Sequence, residues 1–335
     1  MPCTYKILTN DDLKHVDNDK RQFALDVLLG LSEHNKKLSS KYFYDDRGSE
    51  IFQKIMELPE YYLTKCEFEI LRTRKDAVRQ IVDNGPFNFV ELGAGDGRKT
   101  SIIIEHFLDS GLDFKYVPID ISEGAMKYLI NSFDKKFPRL EANGLVTDYF
   151  LGLDWLSSLT NKRNFVLFLG SNLGNFNKAQ SRVFLRNLWN ALNDGDMLMI
   201  GFDLKKDLNK MLAAYNDSSG VTARFNLNLL RRINRELGGD FDLDKYRFYS
   251  SYDVFSGAME SYLVSQQEQE VFISEIGQRF QFRAWEPIHM EYSYKYLISD
   301  IERLAELTGF EIVRHLFDSG QDFVDSVWKV RKETS

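Results

Sequence analysis

The stretch FNFVELGAGDG at residues 87–97 decides the fold of this chain, because an apolar run of strand length ends there in closely spaced glycines. A helical pattern follows at once, with three consecutive isoleucines at residues 102–104. Glycine lets the backbone turn sharply and lets a ligand approach the main chain without meeting a Cβ atom. A strand, a glycine turn and a helix N-terminus together form the nucleotide-binding edge of an open α/β sheet. The stretch therefore predicts such an edge.

The spacing of the glycines distinguishes between kinds of binding loop. The dinucleotide fingerprint requires Gly-x-Gly-x-x-Gly and a P-loop ends in Gly-Lys-Ser or Gly-Lys-Thr, and residues 93–97 have neither form. Glu91 followed by glycines at 93, 95 and 97 instead resembles the loop of class I methyltransferases, which wraps S-adenosylmethionine. On this loop alone, a tight turn that binds no ligand remains the alternative.

Polar residues that could bind a nucleoside stand at the ends of the next predicted strands. Asp120 ends the second strand, where an acid in a doubly wound sheet can accept both ribose hydroxyls of a nucleoside. Asp148 and Tyr149 end a third apolar stretch, and a carboxylate beside an aromatic ring suits the amine and the face of an adenine. The second, fourth and fifth strands are predicted at residues 116–120, 165–169 and 197–201. The apolar character of the fourth strand on both faces is typical of parallel strands buried between helices.

Composition and charge exclude several classes of protein. With 335 residues the chain can hold one large domain or a core domain and a smaller one. The net charge of −7 argues against nucleic acid as a partner, because phosphates require a basic face. Cys3 and Cys66 lack metal-ligand spacing and the histidines form no cluster, so no metal is expected. A Gly-x-Ser-x-Gly hydrolase elbow does not occur in the sequence.

The sequence also sets expectations for location and assembly. Residues 1–20 are polar and lack the apolar region of a signal peptide, and the low cysteine content is typical of a reducing compartment. The longest apolar runs have about five residues, far short of a membrane span. We therefore expect a cytoplasmic monomer that binds a small molecule and contacts neither membrane nor nucleic acid.

An insertion of different character interrupts the α/β alternation between residues 205 and 287. Toward the N-terminus an amphipathic helix is predicted around residues 23–29, and Thr64 to Glu67 has the form of a capping box that opens a helix reaching Val82. The remaining predicted elements are a helix at 225–237 and strands at 261–265 and 279–283 in the insertion, then a helix at 299–308 and strands at 310–316 and 323–330.

Several unusual strings outside the glycine loop identify a family. The strings YDDRGSEIF at residues 44–52 and LPEYY at 58–62 closely resemble the N-terminal signature of the histidine Nα-methyltransferases. These enzymes trimethylate the α-amine of L-histidine on the route to ergothioneine. The resemblance continues in the strings FLGSNLGN at 168–175, DLKKD at 203–207, AYND at 214–217, GVTARFN at 220–226 and NREL at 234–237, and it reappears at 291–296.

The resemblance implies both an architecture and a cofactor. We expect a Rossmann-like class I methyltransferase sheet, mostly parallel with an antiparallel last strand, and S-adenosylmethionine as the methyl donor. An auxiliary α+β domain would be built from the N-terminus and the insertion. The implied domains are an N-terminal segment at 1–62 that contributes to the substrate domain, the Rossmann-like domain at 63–204 and 288–335, and an inserted substrate-binding domain at 205–287.

The resemblance also implies the residues of the site. The implied cofactor residues are Gly93, Gly95, Lys99, Asp120, Asp148 and Tyr149. The implied substrate residues are Tyr61, Gly170, Asn175, Tyr215, Glu291 and Ser293, with Tyr44 lining the amine end. Asn175 and the Tyr215 hydroxyl can donate to a carboxylate, whereas Glu291 and Ser293, two apart on one strand face, can bind the two imidazole nitrogens. Methyl transfer needs positioning more than acid–base catalysis, so we expect Asn175, Gly170 and Tyr44 to position the amine.

Departures from the family pattern leave alternatives open. Asp96, Gly97 and Arg98 intervene before Lys99, and the similarity fades between residues 251 and 287, where Met259 or Tyr262 corresponds to a family methionine near the histidine ring. A tryptophan-derived or other small amine is therefore an alternative substrate, and an interaction protein that kept the fold without activity is a third hypothesis. For single residues, Asn175 could instead cap a helix beginning near residue 177, and Glu291 could lie at the surface.

Overall fold

The computed structural model describes residues 3–7, 19–82, 85–149, 151–152, 155 and 162–332. The described residues fall into two compact units. The core unit combines those of Met1–Leu8, Leu63–Lys205 and Tyr294–Ser335, and the accessory unit those of Thr9–Tyr62 and Lys206–Ser293. Most of the polar N-terminal stretch on which the prediction about a signal peptide depends lies outside the described residues. None of the helices described is long and apolar enough to cross a membrane.

Strands and helices alternate between residues 87 and 203, whereas helices follow one another between residues 19 and 81 and strands follow one another between residues 246 and 294. The strands are β1 Thr4–Ile7, β2 Phe87–Leu92, β3 Phe114–Asp120, β4 Glu141–Val146, β5 Arg163–Phe168, β6 Met197–Asp203, β7 Tyr246–Asp253, β8 Ala258–Ser265, β9 Gln269–Ile273, β10 Gln278–Phe282, β11 Pro287–Tyr294, β12 Phe310–Phe317 and β13 Phe323–Val330. The helices are α1 Asp19–Ser32, α2 Asp46–Met56, α3 Tyr62–Thr73, α4 Lys75–Ile81, α5 Thr100–Asp109, α6 Glu123–Lys136, α7 Lys178–Ala191, α8 Leu208–Tyr215, α9 Val221–Leu237 and α10 Ile298–Thr308.

The core unit contains a large sheet, with the described strands in the order β1-β4-β3-β2-β5-β6-β13-β12. The pairs from β1 to β6 are parallel, and β13 runs antiparallel to both β6 and β12. This confirms the predicted α/β fold, mostly parallel with an antiparallel last strand. Parallel strands end at the same edge of a sheet, so the loops after β2, β3, β4 and β5 lie together there.

The core of this unit is apolar on both faces of the sheet, as the strand sequences predict. All six residues of β2 are buried, and Val90, Val117, Val166 and Ile200 are fully buried in neighbouring strands. Strands covered by helices on both faces show such continuous apolar runs instead of alternation. The rigid sheet fixes the loops at its carboxyl edge.

In the N-terminal third one strand was not predicted, and two predictions about the helix near Thr64 are wrong. Residues 4–7 form β1, which pairs in parallel with β4 although no strand was predicted there, because four residues are too short to show a period. The predicted capping box does not open a helix, since α3 begins at Tyr62 and Glu67 lies within it. The helix predicted to reach Val82 is divided at Arg74 into α3 and α4. The carboxylate of Glu67 makes tertiary contacts instead of capping.

The accessory unit contains both helices and strands, as expected for the insertion. Strands β7 and β8 form an antiparallel hairpin to which β11 adds as a third strand, and β9 pairs with β10. The long helix α9 begins after Gly220 and ends at Gly238, both in the left-handed region that glycine adopts readily. The helix predicted at 225–237 and the strands predicted at 261–265 and 279–283 correspond to α9, β8 and β10.

Candidate active site

The glycine loop after β2 has a backbone that leaves room for a ligand. Gly93 and Gly95 adopt φ values of 75° and 55°, in the region that favours glycine. The N–H of Gly93 donates to the carbonyl of Ile119 at 2.8 Å, which holds the loop against β3. A Cβ atom on Gly95 would meet no other heavy atom within 4 Å. The loop therefore presents main chain to open space at Gly95.

Glu91, the acidic residue of the motif, stabilises the glycine loop through its side chain. Its buried carboxylate accepts hydrogen bonds from the Thr100 hydroxyl at the start of α5 and from the Tyr116 hydroxyl on β3. Burial raises the pKa of Glu91 to about 7, although both hydrogen bonds and the nearby Lys99 act in the opposite direction. Glu91 thus connects the strand, the helix and the neighbouring strand around the loop and has a structural role.

Asp120 closes the same loop from the end of β3. One carboxylate oxygen accepts the N–H of Gly95 at 2.8 Å and the other accepts the N–H of Ser122 at 2.9 Å. Burial raises the pKa of Asp120, and the backbone donors partly offset that effect. Each carboxylate oxygen has two lone pairs, so the group retains acceptor capacity for hydroxyl groups of a ligand. The arrangement fits the ribose of a nucleoside.

Tyr149 and Asp148, predicted to contact an adenine, have different surroundings. The Tyr149 ring packs edge-on against Phe168 at 5.3 Å between centroids, and its hydroxyl lies where a Cβ atom on Gly93 would approach within 2.8 Å. Tyr149 is therefore one wall of the glycine loop. Asp148 is exposed, and its carboxylate accepts the N–H of Leu151 at 3.0 Å, which caps the following turn.

Lys99 and Gly170 are brought together by a residue whose role the sequence did not indicate. The Glu67 carboxylate forms an ion pair with the Lys99 ammonium and accepts the N–H of Gly170 at 2.7 Å. Burial alone would lower the pKa of Lys99, but the carboxylates of Glu67 and Glu91 raise it, so the ammonium stays charged. Because the Gly170 N–H is bound to Glu67, the polar atom that Gly170 can offer a substrate is its carbonyl oxygen, an acceptor.

Asn175 is not a helix cap, so the structural alternative for this residue is wrong. Asn177 is the N-cap of α7: its side chain accepts the N–H groups of Ala179 and Gln180, and the Gln180 side chain returns a bond to the Asn177 N–H. Asn175 ends the short 3-10 turn before it and is half-buried. Its side-chain amide forms no hydrogen bond with any described residue. The amide is therefore available to a ligand.

In the accessory unit, the structure brings Tyr215 and Ser293 into direct contact. Their hydroxyl oxygens are 2.7 Å apart and both side chains are buried. The Tyr215 ring also meets that of Tyr61, with centroids 6.4 Å apart and the planes inclined at 62°. Three of the predicted substrate residues thus form one contiguous group within this unit.

Tyr44 joins the same group through two phenylalanines. Its ring packs edge-on against Phe52 and Phe225, with centroid distances of 5.5 and 5.6 Å, and Phe52 in turn contacts Tyr61. Tyr44 directly precedes Asp45, which caps α2 by accepting the N–H of Gly48 at 2.7 Å and also binds Arg235. Residues 44–52, which resemble the family string, therefore place the Tyr44 and Phe52 rings against each other, and the capped helix α2 stabilises their positions.

Glu291 lies half-buried on β11, where burial does not alternate regularly. Ile288 and Met290 are buried in the first half of the strand, but Ser293 is buried in the second half, so the buried phase changes around Glu291. A spacing of two residues therefore does not by itself place Glu291 and Ser293 on one face. On β8, Met259 is buried whereas Tyr262 is half-buried, with its ring 5.3 Å from that of His289.

A thiol and two carboxylates meet outside these groups, although no metal was expected. Ligand atoms of Cys66, Asp318 and Asp322 lie within 4.8 Å of one another among the described residues. Asp318, however, accepts the N–H groups of Gly320 and Phe323 at 3.0 and 2.8 Å. These bonds explain the carboxylate as the acceptor of a tight turn between β12 and β13.

Comparisons with known proteins find histidine methyltransferases among the proteins to which this chain is similar. A family model described as histidine-specific methyltransferase, SAM-dependent, matches residues 23–330, a range that includes every predicted site residue. The histidine N-alpha-methyltransferase of Mycolicibacterium smegmatis is 35% identical over 92% of this chain and 94% of its own length. That of Mycobacterium tuberculosis is 32% identical over 92% and 96%, respectively. Ergothioneine biosynthesis protein 1 of Neurospora crassa is 29% identical over 83% of this chain and 31% of its own length.

Proposed function

The chain belongs to the family of histidine-specific, SAM-dependent methyltransferases, and we propose that it methylates the α-amino group of L-histidine, as ergothioneine biosynthesis requires. The observation that supports this most strongly is the match of the histidine-specific family over residues 23–330. The core unit adds a glycine loop with open space at Gly95, closed by an acid at the end of the next strand. The product is proposed to be the trimethylated amine.

The core unit supplies the residues for the cofactor. When bound, S-adenosylmethionine supplies a methyl group on a positively charged sulfur. Asp120 has acceptor capacity for ribose hydroxyls beyond its bonds to the backbone, and Tyr149 gives the loop an aromatic wall. The Lys99 ammonium has three N–H donors, of which the contact with Glu67 uses one, so it can also bind a carboxylate. Gly93 and Gly95 allow close approach of the ligand to the main chain.

The substrate residues are proposed to divide by chemistry. Asn175, with an amide not engaged by described residues, binds the amino-acid head of histidine, and the Gly170 carbonyl accepts an N–H of the amine. Glu291 accepts from one imidazole nitrogen. The Ser293 hydroxyl, which shares a hydrogen bond with Tyr215, binds the other. A hydroxyl has one donor and two acceptor sites, so this pair can be fully satisfied with the ring bound.

The accessory unit is proposed to be the substrate domain, with the N-terminal segment and the insertion both contributing to it. Its aromatic side chains, Tyr44 and Tyr61 among them, exclude water around a ring. Met259, which is buried on β8, is proposed as the counterpart of the family methionine in preference to Tyr262. A small apolar contact of this kind suits an imidazole better than an indole.

The residues of this chain act on the reaction by positioning. The amine must be neutral and its lone pair must face the methyl group. The Gly170 carbonyl accepts an N–H of the amine and the Asn175 amide donates to the carboxylate of the amino acid, so neither contact occupies the lone pair. Effective molarities for good alignment correspond to about 7–11 kcal/mol of the barrier. No side chain is needed as a general base in this account, because water can take the proton that the ammonium form must lose before each transfer.

Mass spectrometry of amino-acid mixtures tests the proposed function. The protein is incubated with S-adenosylmethionine and equal amounts of histidine, tryptophan and tyrosine. We expect methylated histidine alone. Methylation of tryptophan or tyrosine in preference to histidine would support the alternative of another small amine. Absence of methylation together with absence of S-adenosylhomocysteine binding by calorimetry would instead support an interaction protein that kept the fold.

A further inference from the structure

A buried carboxylate joins the cofactor and substrate sides of the core unit. Glu67 on α3 is only 1% exposed, and its two oxygens contact different partners: one faces the Lys99 ammonium, the other accepts the Gly170 N–H at 2.7 Å. Lys99 lies at the start of α5 and Gly170 follows β5. A single side chain therefore fixes two segments of the site at once.

The neighbouring strand β6 is adapted to this side chain. Gly201 lies in the middle of β6, where glycine weakens a strand and often marks a close approach. A Cβ atom there would lie 2.5 Å from the Glu67 carboxylate oxygen and 3.0 Å from the Phe323 ring. Gly201 does not have a positive φ, so its turn-forming freedom is not what the site uses. The missing side chain makes room for Glu67.

Asp325 lies opposite Gly201 in the register of β13 with β6 and has no visible partner. It is fully buried, and neither of its carboxylate oxygens has a hydrogen-bond donor in the described part of the chain. An ionised carboxylate without donors is costly to bury. Burial and the charge of Glu67 raise the pKa of Asp325 well above its usual range, with Lys99 acting in the opposite direction. A protonated Asp325 can donate its O–H to Glu67.

Each titratable group around Lys99 has its own surroundings. Burial and the charge of Glu67 favour the protonated form of Asp325, Glu91 accepts from the hydroxyls of Thr100 and Tyr116, and Glu67 forms the ion pair with the ammonium. With the Asp325 proton directed at one side, Glu67 has a fixed orientation toward Lys99 and Gly170. The hydrogen bond from Asp325 therefore restricts the Glu67 side chain more than the ion pair with Lys99 alone would.

We propose that Glu67 is a positioning residue for the methyl transfer, seated over Gly201 and backed by Asp325, which orients the Lys99 ammonium and the Gly170 peptide together. Glu67 touches neither ligand in this account and acts through the two residues that do. The inference rests on the proposed function, since it assigns Lys99 to the cofactor and Gly170 to the amine. It adds a residue that couples the two binding sites.

Three variants test the inference. A fourth variant, at the buried carboxylate of Asp196 directly before β6, is the control. Glu67→Gln keeps the size of the side chain but places an amide N–H group against the Lys99 ammonium or the Gly170 N–H. Gly201→Ala leaves Glu67 in the chain and displaces its carboxylate. Asp325→Asn replaces a neutral acid by a neutral amide of the same shape. In the control Asp196→Asn, a carboxylate that accepts from Asn164 and Asn193 loses its charge.

The readouts are S-adenosylhomocysteine affinity by calorimetry, kcat and KM with histidine, and thermal unfolding. Glu67→Gln and Gly201→Ala should each raise the Kd for S-adenosylhomocysteine about tenfold or more and lower kcat further, as expected for loss of a charge-assisted contact. Asp325→Asn should stay within about threefold of the parent in both, because it mimics the protonated acid. Asp196→Asn should lower the unfolding temperature but leave the Kd for S-adenosylhomocysteine and kcat at the values of the parent protein.

Two results would overturn the inference. One is parent-like affinity and kcat in both Glu67→Gln and Gly201→Ala. The other is loss of affinity in Asp196→Asn of the same size as in Glu67→Gln, because the effect would then follow from general destabilisation. Failure of the proposed function is distinguishable: the parent protein would methylate an amine other than histidine, while the calorimetric comparison of the variants would still stand.

Discussion

Replacing Asp120 by alanine should weaken the cofactor strongly, because this carboxylate has two tasks. It accepts the backbone N–H of Gly95 at 2.8 Å and that of Ser122 at 2.9 Å, and thereby holds the glycine loop against the end of β3. In the proposed function it also accepts hydroxyls of the ribose. The Asp120→Ala change removes the ligand contact and releases the loop in one step.

The expected losses of affinity and of stability follow from the hydrogen bonds that the Asp120 carboxylate accepts. A hydrogen bond to a charged group contributes about 1.5–3 kcal/mol, so loss of the ribose contact should raise the Kd for S-adenosylhomocysteine about 10- to 100-fold. Ordering the freed Gly95 segment on binding adds to that loss. The free energy of unfolding should fall by about 1–3 kcal/mol, because two backbone donors lose their acceptor. Titration calorimetry and urea denaturation measure the two quantities.

Ser122→Ala is a matched control from the same segment. The Ser122 hydroxyl caps α6 by accepting the N–H of Ala125 at 3.2 Å, and loss of such a cap costs about 1 kcal/mol of stability. The control should therefore lose stability and keep the parent's cofactor affinity. A parent-like Kd in Asp120→Ala would remove Asp120 from the cofactor site. An equal loss of affinity in Ser122→Ala would attribute the effect to general loosening of this segment.

The remaining predictions concern the substrate and the pH dependence of stability. Glu291→Ala should raise the KM for histidine strongly and relax discrimination against tryptophan with parent-like cofactor affinity, and unchanged steady-state kinetics would contradict the role of Glu291. Asn175→Asp should lower kcat/KM by several orders of magnitude at unchanged melting temperature, because a negative charge would face the substrate carboxylate; near-normal turnover would remove Asn175 from the site. The folded-state pKa of Glu91 is raised from 4.5 to about 7, so the stability it contributes is present below the lower value and is lost as pH rises through the higher one. Denaturation of Glu91→Gln against pH should therefore show a flatter profile than the parent over that window, and parallel profiles would refute the assignment.

The core sheet could be predicted from the sequence because its signals are local and strong. Strands β2, β3, β5 and β6 are short apolar runs with a glycine or an acid at or just beyond their carboxyl ends, and each lies where the pattern predicts it. The four residues of β1 give no such signal, since a strand this short becomes one only by pairing with β4. The pairing with β4 therefore determines that residues 4–7 form a strand.

The site was harder to predict because its key contacts join distant residues. The spacing of Glu67 from Thr64 imitates a capping box, and only the fold shows its contacts with Lys99 and Gly170. Similarly, both Asn175 and Asn177 have the chemistry of a cap, and the backbone alone decides that Asn177 takes that role. Local patterns identify residue types, whereas the partner across the sheet determines what each residue does.

The position of the added methyl groups decides whether this protein methylates the α-amine of histidine. Histidine is incubated with the protein and S-adenosylmethionine carrying a ¹³C-labelled methyl group, and the product is examined by two-dimensional NMR. We expect equivalent labelled methyl groups on the α-nitrogen, correlated with the α-carbon, and an unmodified imidazole ring. Label on a ring nitrogen, or no label on histidine at all, would contradict this assignment.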